Sequence, residues 1–158
     1  MKQEQKQDFT RRISQSNRSE LIVVIYDIIF AYMEDAKACL NAEDDTGFKE
    51  ALRKASGGID ELIQSLNFQY EISKNLYPLY IFAKESLAKA LLKRSVKEIE
   101  TAHEVLVNLY DAFLEVAKQD HSNPLMRNTQ QVYAGFTYGR NHLTETFQEP
   151  ENSRGFFA

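Results

Sequence analysis

Glu100 and His103 stand three residues apart, the spacing that puts a carboxylate and an imidazole on one face of a helix and supplies half of a di-iron centre. The other half is missing. His121 follows Lys118 and His142 follows Gly139 at that spacing, so no second Glu-x-x-His is present, and no metal site is assigned. His103 falls instead within an apolar stripe, where one hydrogen bond would satisfy it. Cys39 is the single cysteine and lies on the apolar side of a helical pattern, where a thiol behaves as a small hydrophobe rather than a nucleophile. The Gly57-Gly58 pair lacks the Lys-Ser/Thr that completes a phosphate loop, and Asp44-Asp45 lacks the alternating oxygen ligands of a calcium loop. No catalytic constellation emerges, and the sequence assigns no catalytic residue and no cofactor.

The charge balance narrows the partners. Nineteen Lys and Arg against twenty-three Asp and Glu give a formal net charge of −4, so no positive field concentrates phosphate backbones, and nucleic acid is not expected. Leu21 to Met33 is the most apolar run, but Asp27 interrupts it, and it is well short of the roughly 20 residues of a membrane span. No membrane insertion is expected. One thiol, no internal disulfide and no secretory signal in the first residues make the cytoplasm the expected compartment.

The elements that must position these residues are helical. Between residues 21 and 119 there are three glycines and one proline, and apolar residues recur at intervals of three and four. The pattern predicts an all-α protein, an antiparallel up-down four-helix bundle over residues 19–119. A short N-terminal helical segment (1–18) precedes it and an irregular, aromatic-containing tail (120–158) follows. The first long helix should run from Ser19 to Ala42, opened by a capping box of Asn17 and Glu20. The second should be capped by Asp45 or Thr46 and end near Asn67, with Phe48, Leu52, Ala55, Ile59, Leu62 and Leu66 in its stripe. The third carries Ile72, Leu76, Leu79, Ala83, Leu87 and Ala90 and stops near Lys93; Ser95 and Glu98 should form a capping box for the fourth. Helices of this length measure about 30–37 Å, and short connections force neighbours to lie antiparallel. Gly57-Gly58 and Pro78 inside helices predict a bend or a close helix contact. Phe9 and Ile13, four apart, suggest one weakly amphipathic turn before the bundle.

Apolar surface is in excess. Sixteen of the twenty residues from Leu21 to Leu40 are hydrophobic, enough for two stripes where an ordinary surface helix has one. Two neighbours in a bundle can take up much of that width; any remainder is an exposed groove. Tyr26, Tyr70, Tyr77, Tyr80 and Tyr110 bring aromatic bodies with polar tips, suited either to a core or to a wet interface.

Four segments in order, SELIVVIYD, LRKASGGIDELIQSLN, EISKNLYPLYIFAKESLAKA and KEIETAHEVLVNLYDAF, resemble the flagellar export chaperone family FliS over about residues 9 to 118. Tyr26-Asp27 occupies the family's Tyr-Asp, and Ser65-Leu66-Asn67 its Ser-Leu-Asp. Glu71, Ile72, Asn75, Leu76, Leu79 and Tyr80 match its Glu-Ile-Ala-x-Asn-Leu-x-x-Leu-Tyr. The departures are Ile28 for the Gly after Tyr-Asp, QSNRS for the usual Thr-Ala-Ser-Pro, Gln69-Tyr70 for Gly-Gly, Phe113 for Trp, and Pro78.

The resemblance implies a chaperone, not an enzyme, that binds the disordered C-terminal segment of flagellin in apolar grooves. It prevents premature polymerisation and assists type III secretion at the export gate. Phe9 and Ile13 would stand in for the apolar anchors of an N-terminal segment that the client displaces. With them, Tyr26, Asp27, Leu66, Asn67, Ile72, Leu76, Tyr80 and Tyr110 form the expected partner-binding set. The alternative is a related co-chaperone or structural helical-bundle interaction module that does not bind flagellin. The tail carries Tyr133, Phe136, Tyr138, Phe147, Phe156 and Phe157; it reads either as an intramolecular competitor for the client groove or as a disordered appendage or second-partner motif.

Overall fold

The Asn17 side chain accepts from the Glu20 amide at 2.9 Å while the Glu20 carboxylate accepts from the Asn17 amide at 2.9 Å, the reciprocal box expected from those residue types. In the computed structural model, which describes residues 1–126, this box separates α1 (Gln3–Gln15) from α2 (Arg18–Asn41). The chain continues through α3 (Asp45–Gln64), α4 (Glu71–Lys93) and α5 (Val96–Gln119). No strand occurs among the described residues, and no helix there is long and apolar enough to cross a membrane.

The helices close a square in which α2 packs on α3, α3 on α4, α4 on α5 and α5 back on α2, with α1 lying against α2. The core is built from the predicted stripes. Ile29 and Met33 of α2, Phe48 and Ile59 of α3, Leu87 of α4 and Leu106 of α5 are each enclosed. Each such side chain contributes about 1.5–3 kcal/mol relative to leaving it in water. Gly58 explains itself here, since a Cβ at that position would stand 2.4 Å from Ile29 Cγ1. The α2–α3 crossing therefore needs a residue with no side chain. Gly57 faces open space and has no such role. Helix α4 runs unbroken through Pro78, whose missing N–H leaves the exposed Lys74 carbonyl to water.

Several boundaries differ from the sequence expectation. Asp44, not Asp45 or Thr46, caps α3, its carboxylate accepting from the Gly47 amide at 2.9 Å. Helix α3 stops at Gln64 because Ser65 turns its hydroxyl onto the Leu62 carbonyl and Asn67 forms a local turn with the Gln69 amide. The capping box at Ser95 does not form. Ser95 is the N-cap residue but makes no side-chain bond, and Glu98 reaches back to Lys93 at 2.9 Å, an ion pair across the turn that wins the carboxylate.

The single N-terminal turn is also corrected, since α1 spans thirteen residues. Glu4 in its first turn and Arg12 in its last complement the helix dipole, and Asp8 pairs with Arg11 at 2.5 Å. Past α5, residues 120–126 are irregular and pinned to the start of α2. Asn17 Nδ2 donates to the carbonyls of Asp120 (3.1 Å) and Ser122 (3.3 Å), and the Leu125 amide donates to the Ser16 carbonyl at 3.0 Å. The aromatic tail from Tyr133 to Phe157 lies outside the described residues.

Candidate partner-binding surface

Among the described residues no group of three or more His, Cys, Asp and Glu could hold a metal ion. Glu100 is exposed, and the half-buried His103 ring packs on Phe30 with centroids 4.8 Å apart, so the pair does not converge. The Cys39 thiol is pushed up, first by burial and then by the Asp44 carboxylate, which opposes formation of a thiolate.

The excess apolar surface is present, but not where the sequence put it. No large apolar residue of α2 is fully exposed: Tyr26, Ile29 and Met33 are enclosed, while Leu21, Ile25, Ile28 and Tyr32 are half-buried. Most exposed apolar groups lie instead on α4 and the turn leading into it, with Ile13 on α1, Val116 on α5 and Leu125 and Met126 beyond it. Tyr70 is 65% exposed, Ile72 61%, Phe82 41% and Leu79 39%, and Phe68 and Tyr77 stand beside them with rings 5.7 Å apart. Helix α4 packs along α3 and α5 and meets α2 in the core through Tyr80 and Tyr26, and none of these contacts lies on its outer side.

At the N-terminal end of α4 the four bundle helices leave a groove of about 470 Å³. Ile22 from the start of α2, Leu66 and Asn67 after α3, Ile72, Leu76 and Tyr80 of α4, and Phe113 and Val116 near the end of α5 line it. The longer α3–α4 connection holds this end open, whereas Arg94 and Ser95 alone join α4 to α5 at the other end. Ile72, Leu79 and Phe82 follow at helical spacing and carry the apolar surface out of the groove for about 15 Å along α4. A second cavity, of about 490 Å³ between α1, α2 and α5, is lined by Arg12, Glu20 and Lys118 and is the more charged of the two.

The predicted partner-binding residues thus divide. Leu66, Asn67, Ile72, Leu76 and Tyr80 come together in the groove. Phe9, Asp27 and Tyr110 belong to the docking of α1. Arg12 pairs with Asp27 at 2.5 Å and lies over the buried Phe9 ring at 5.6 Å, and burial followed by the Asp27 carboxylate raises the Tyr110 phenol. Ile13 remains partly exposed on α1.

Tyr26 joins neither set. It is 0% exposed, and its hydroxyl meets that of Tyr80 at 2.8 Å across the bundle from α2 to α4. Burial, the first cause for both, keeps these phenols neutral by raising their pKa. Phe68, Phe82 and Val116 were not singled out from the sequence. Phe82 and Val116 are apolar residues that fall off the stripes of their helices, and that mismatch is the signal that could have found them.

The family model described as flagellar protein FliS matches residues 1–120, which takes in all five helices. No curated protein matches the chain. The order of helices, the capping box at Asn17 and the apolar groove all fall within the matched span, and the chain belongs to the FliS family of flagellar chaperones.

Proposed function

We propose that this chain is a cytoplasmic export chaperone that binds the disordered C-terminal segment of flagellin one-to-one, keeps it from polymerising early and escorts it to the export gate. The observation that carries the reading is the groove at the mouth of the bundle together with its continuation along α4. An amphipathic client turn placed there would cover Ile72, Leu79 and Phe82, and the client would order as it bound. Binding of this kind needs no turnover and no cofactor.

Titration calorimetry of the full chain with a flagellin C-terminal segment tests it. The expected result is a one-to-one complex that Ile72→Asp combined with Phe82→Asp weakens at least about tenfold, since two apolar contacts of this size are worth more than 1.4 kcal/mol. The thermal midpoint should stay within a few degrees, because both side chains are exposed. Absence of any complex would favour a FliS-related bundle serving as a co-chaperone or structural interaction module without flagellin.

A further inference from the structure

We propose that residues 127–158 of this same chain dock on the groove and on the outer side of α4, so that the free protein covers its own binding surface. The first argument is where the segment begins. Asp120 accepts from the Ser19 hydroxyl at 2.5 Å, Ser19 itself lines the groove, and the Leu125 amide is held on Ser16. The chain therefore leaves the described residues at the open end of the bundle, between the groove, which Ser19 lines, and the second cavity, which Ser16 lines.

The second argument is reach. Residues 127–158 number thirty-two, and the random-coil relation gives a mean span of about 30 Å for a chain of that length. Phe82 lies only about 15 Å along α4 from Ile72. Tethering at this distance presents the segment at an effective concentration of about millimolar, so weak contacts suffice.

The third argument is composition. The segment carries six of the chain's eighteen aromatic residues, and its three arginines balance its three glutamates. Such a segment suits an apolar surface edged by the rings of Phe68, Tyr70 and Tyr77 better than the cavity lined by Arg12, Glu20 and Lys118. Competition with a client rests on the proposed function; docking of the tail does not.

The test uses the full chain with Leu79 replaced by photoreactive benzoylphenylalanine, irradiated without client at low concentration and mapped by mass spectrometry. Cross-links to residues 127–158 of the same molecule are expected. Cross-links only to other copies, or none to the tail, would overturn the proposal. A second full-length form with Tyr133, Phe136, Tyr138 and Phe147 all changed to Ser should lose most of the cross-link. Undiminished yield counts against aromatic docking.

If the tail is docked nine-tenths of the time, the same form should bind the flagellin segment about tenfold more tightly. Equal affinity of the two forms removes the competition. The two readings fail separately: tail cross-links without any flagellin complex leave the docking standing and sink the client, whereas a flagellin complex without tail cross-links does the reverse.

Discussion

Helices α2 and α4 are nearly equal in length and both carry more apolar residues than one stripe requires, yet only α4 displays them. The difference is in their neighbours. Helix α2 has α1, α3 and α5 packed along it, whereas α4 has α3 and α5 and meets α2 only through the Tyr26 and Tyr80 pair in the core. Apolar width thus becomes core where the topology supplies a third partner and a binding surface where it does not.

The comparison breaks most visibly on stability. Met33, enclosed on α2, should cost about 2–5 kcal/mol when changed to Ala, whereas Phe82→Ser on α4, where the ring is 41% exposed, should cost about 1 kcal/mol. Urea denaturation at equilibrium measures both, and similar losses would mean that α4 is no more exposed than α2.

A middle-sized effect tests the one hydrogen bond that ties the two helices together. Tyr80→Phe strands the buried Tyr26 hydroxyl and should cost about 1–3 kcal/mol. Tyr26→Phe strands the equally enclosed Tyr80 hydroxyl and should cost about the same. The double variant should recover part of the loss, and strictly additive losses would show that the two hydroxyls do not depend on each other.

The smallest effect concerns the root of the tail. Ser122 and then Ser19 hold the Asp120 carboxyl down at about 2 against an ordinary 3.8. A depressed carboxyl stabilises the joint above its unfolded value and gives that up as pH falls through the folded one. The joint should therefore be intact above about pH 4 and loosen toward pH 2. Carboxyl NMR of Asp120 reads this directly, and an ordinary midpoint would remove the joint's dependence on charge.

The helices were legible because apolar spacing and the Asn17–Glu20 pair are local properties. The ends drifted where side chains had two choices: Glu98 could cap its own helix or pair with Lys93, and the ion pair won. The exposed surface was not legible from the same pattern. Periodicity says which side of a helix is apolar, not whether another helix lies there, so the widest apolar run marked α2 while the surface formed on α4. Ile72 makes the point, sharing a stripe with Leu76 and Leu87 yet standing uncovered in the first turn at the mouth of the bundle. Tyr26 makes the converse point, since nothing local distinguishes an aromatic at an interface from one whose hydroxyl finds a partner across the core.

The two-residue turn at Arg94 and Ser95 closes the end of α4 opposite the groove mouth, about 35 Å from the start of that helix. A dye, a bead or a sensor chip attached at that corner would hold every molecule by its shut end and leave the mouth facing solution, which makes the turn the natural handle for immobilising this protein.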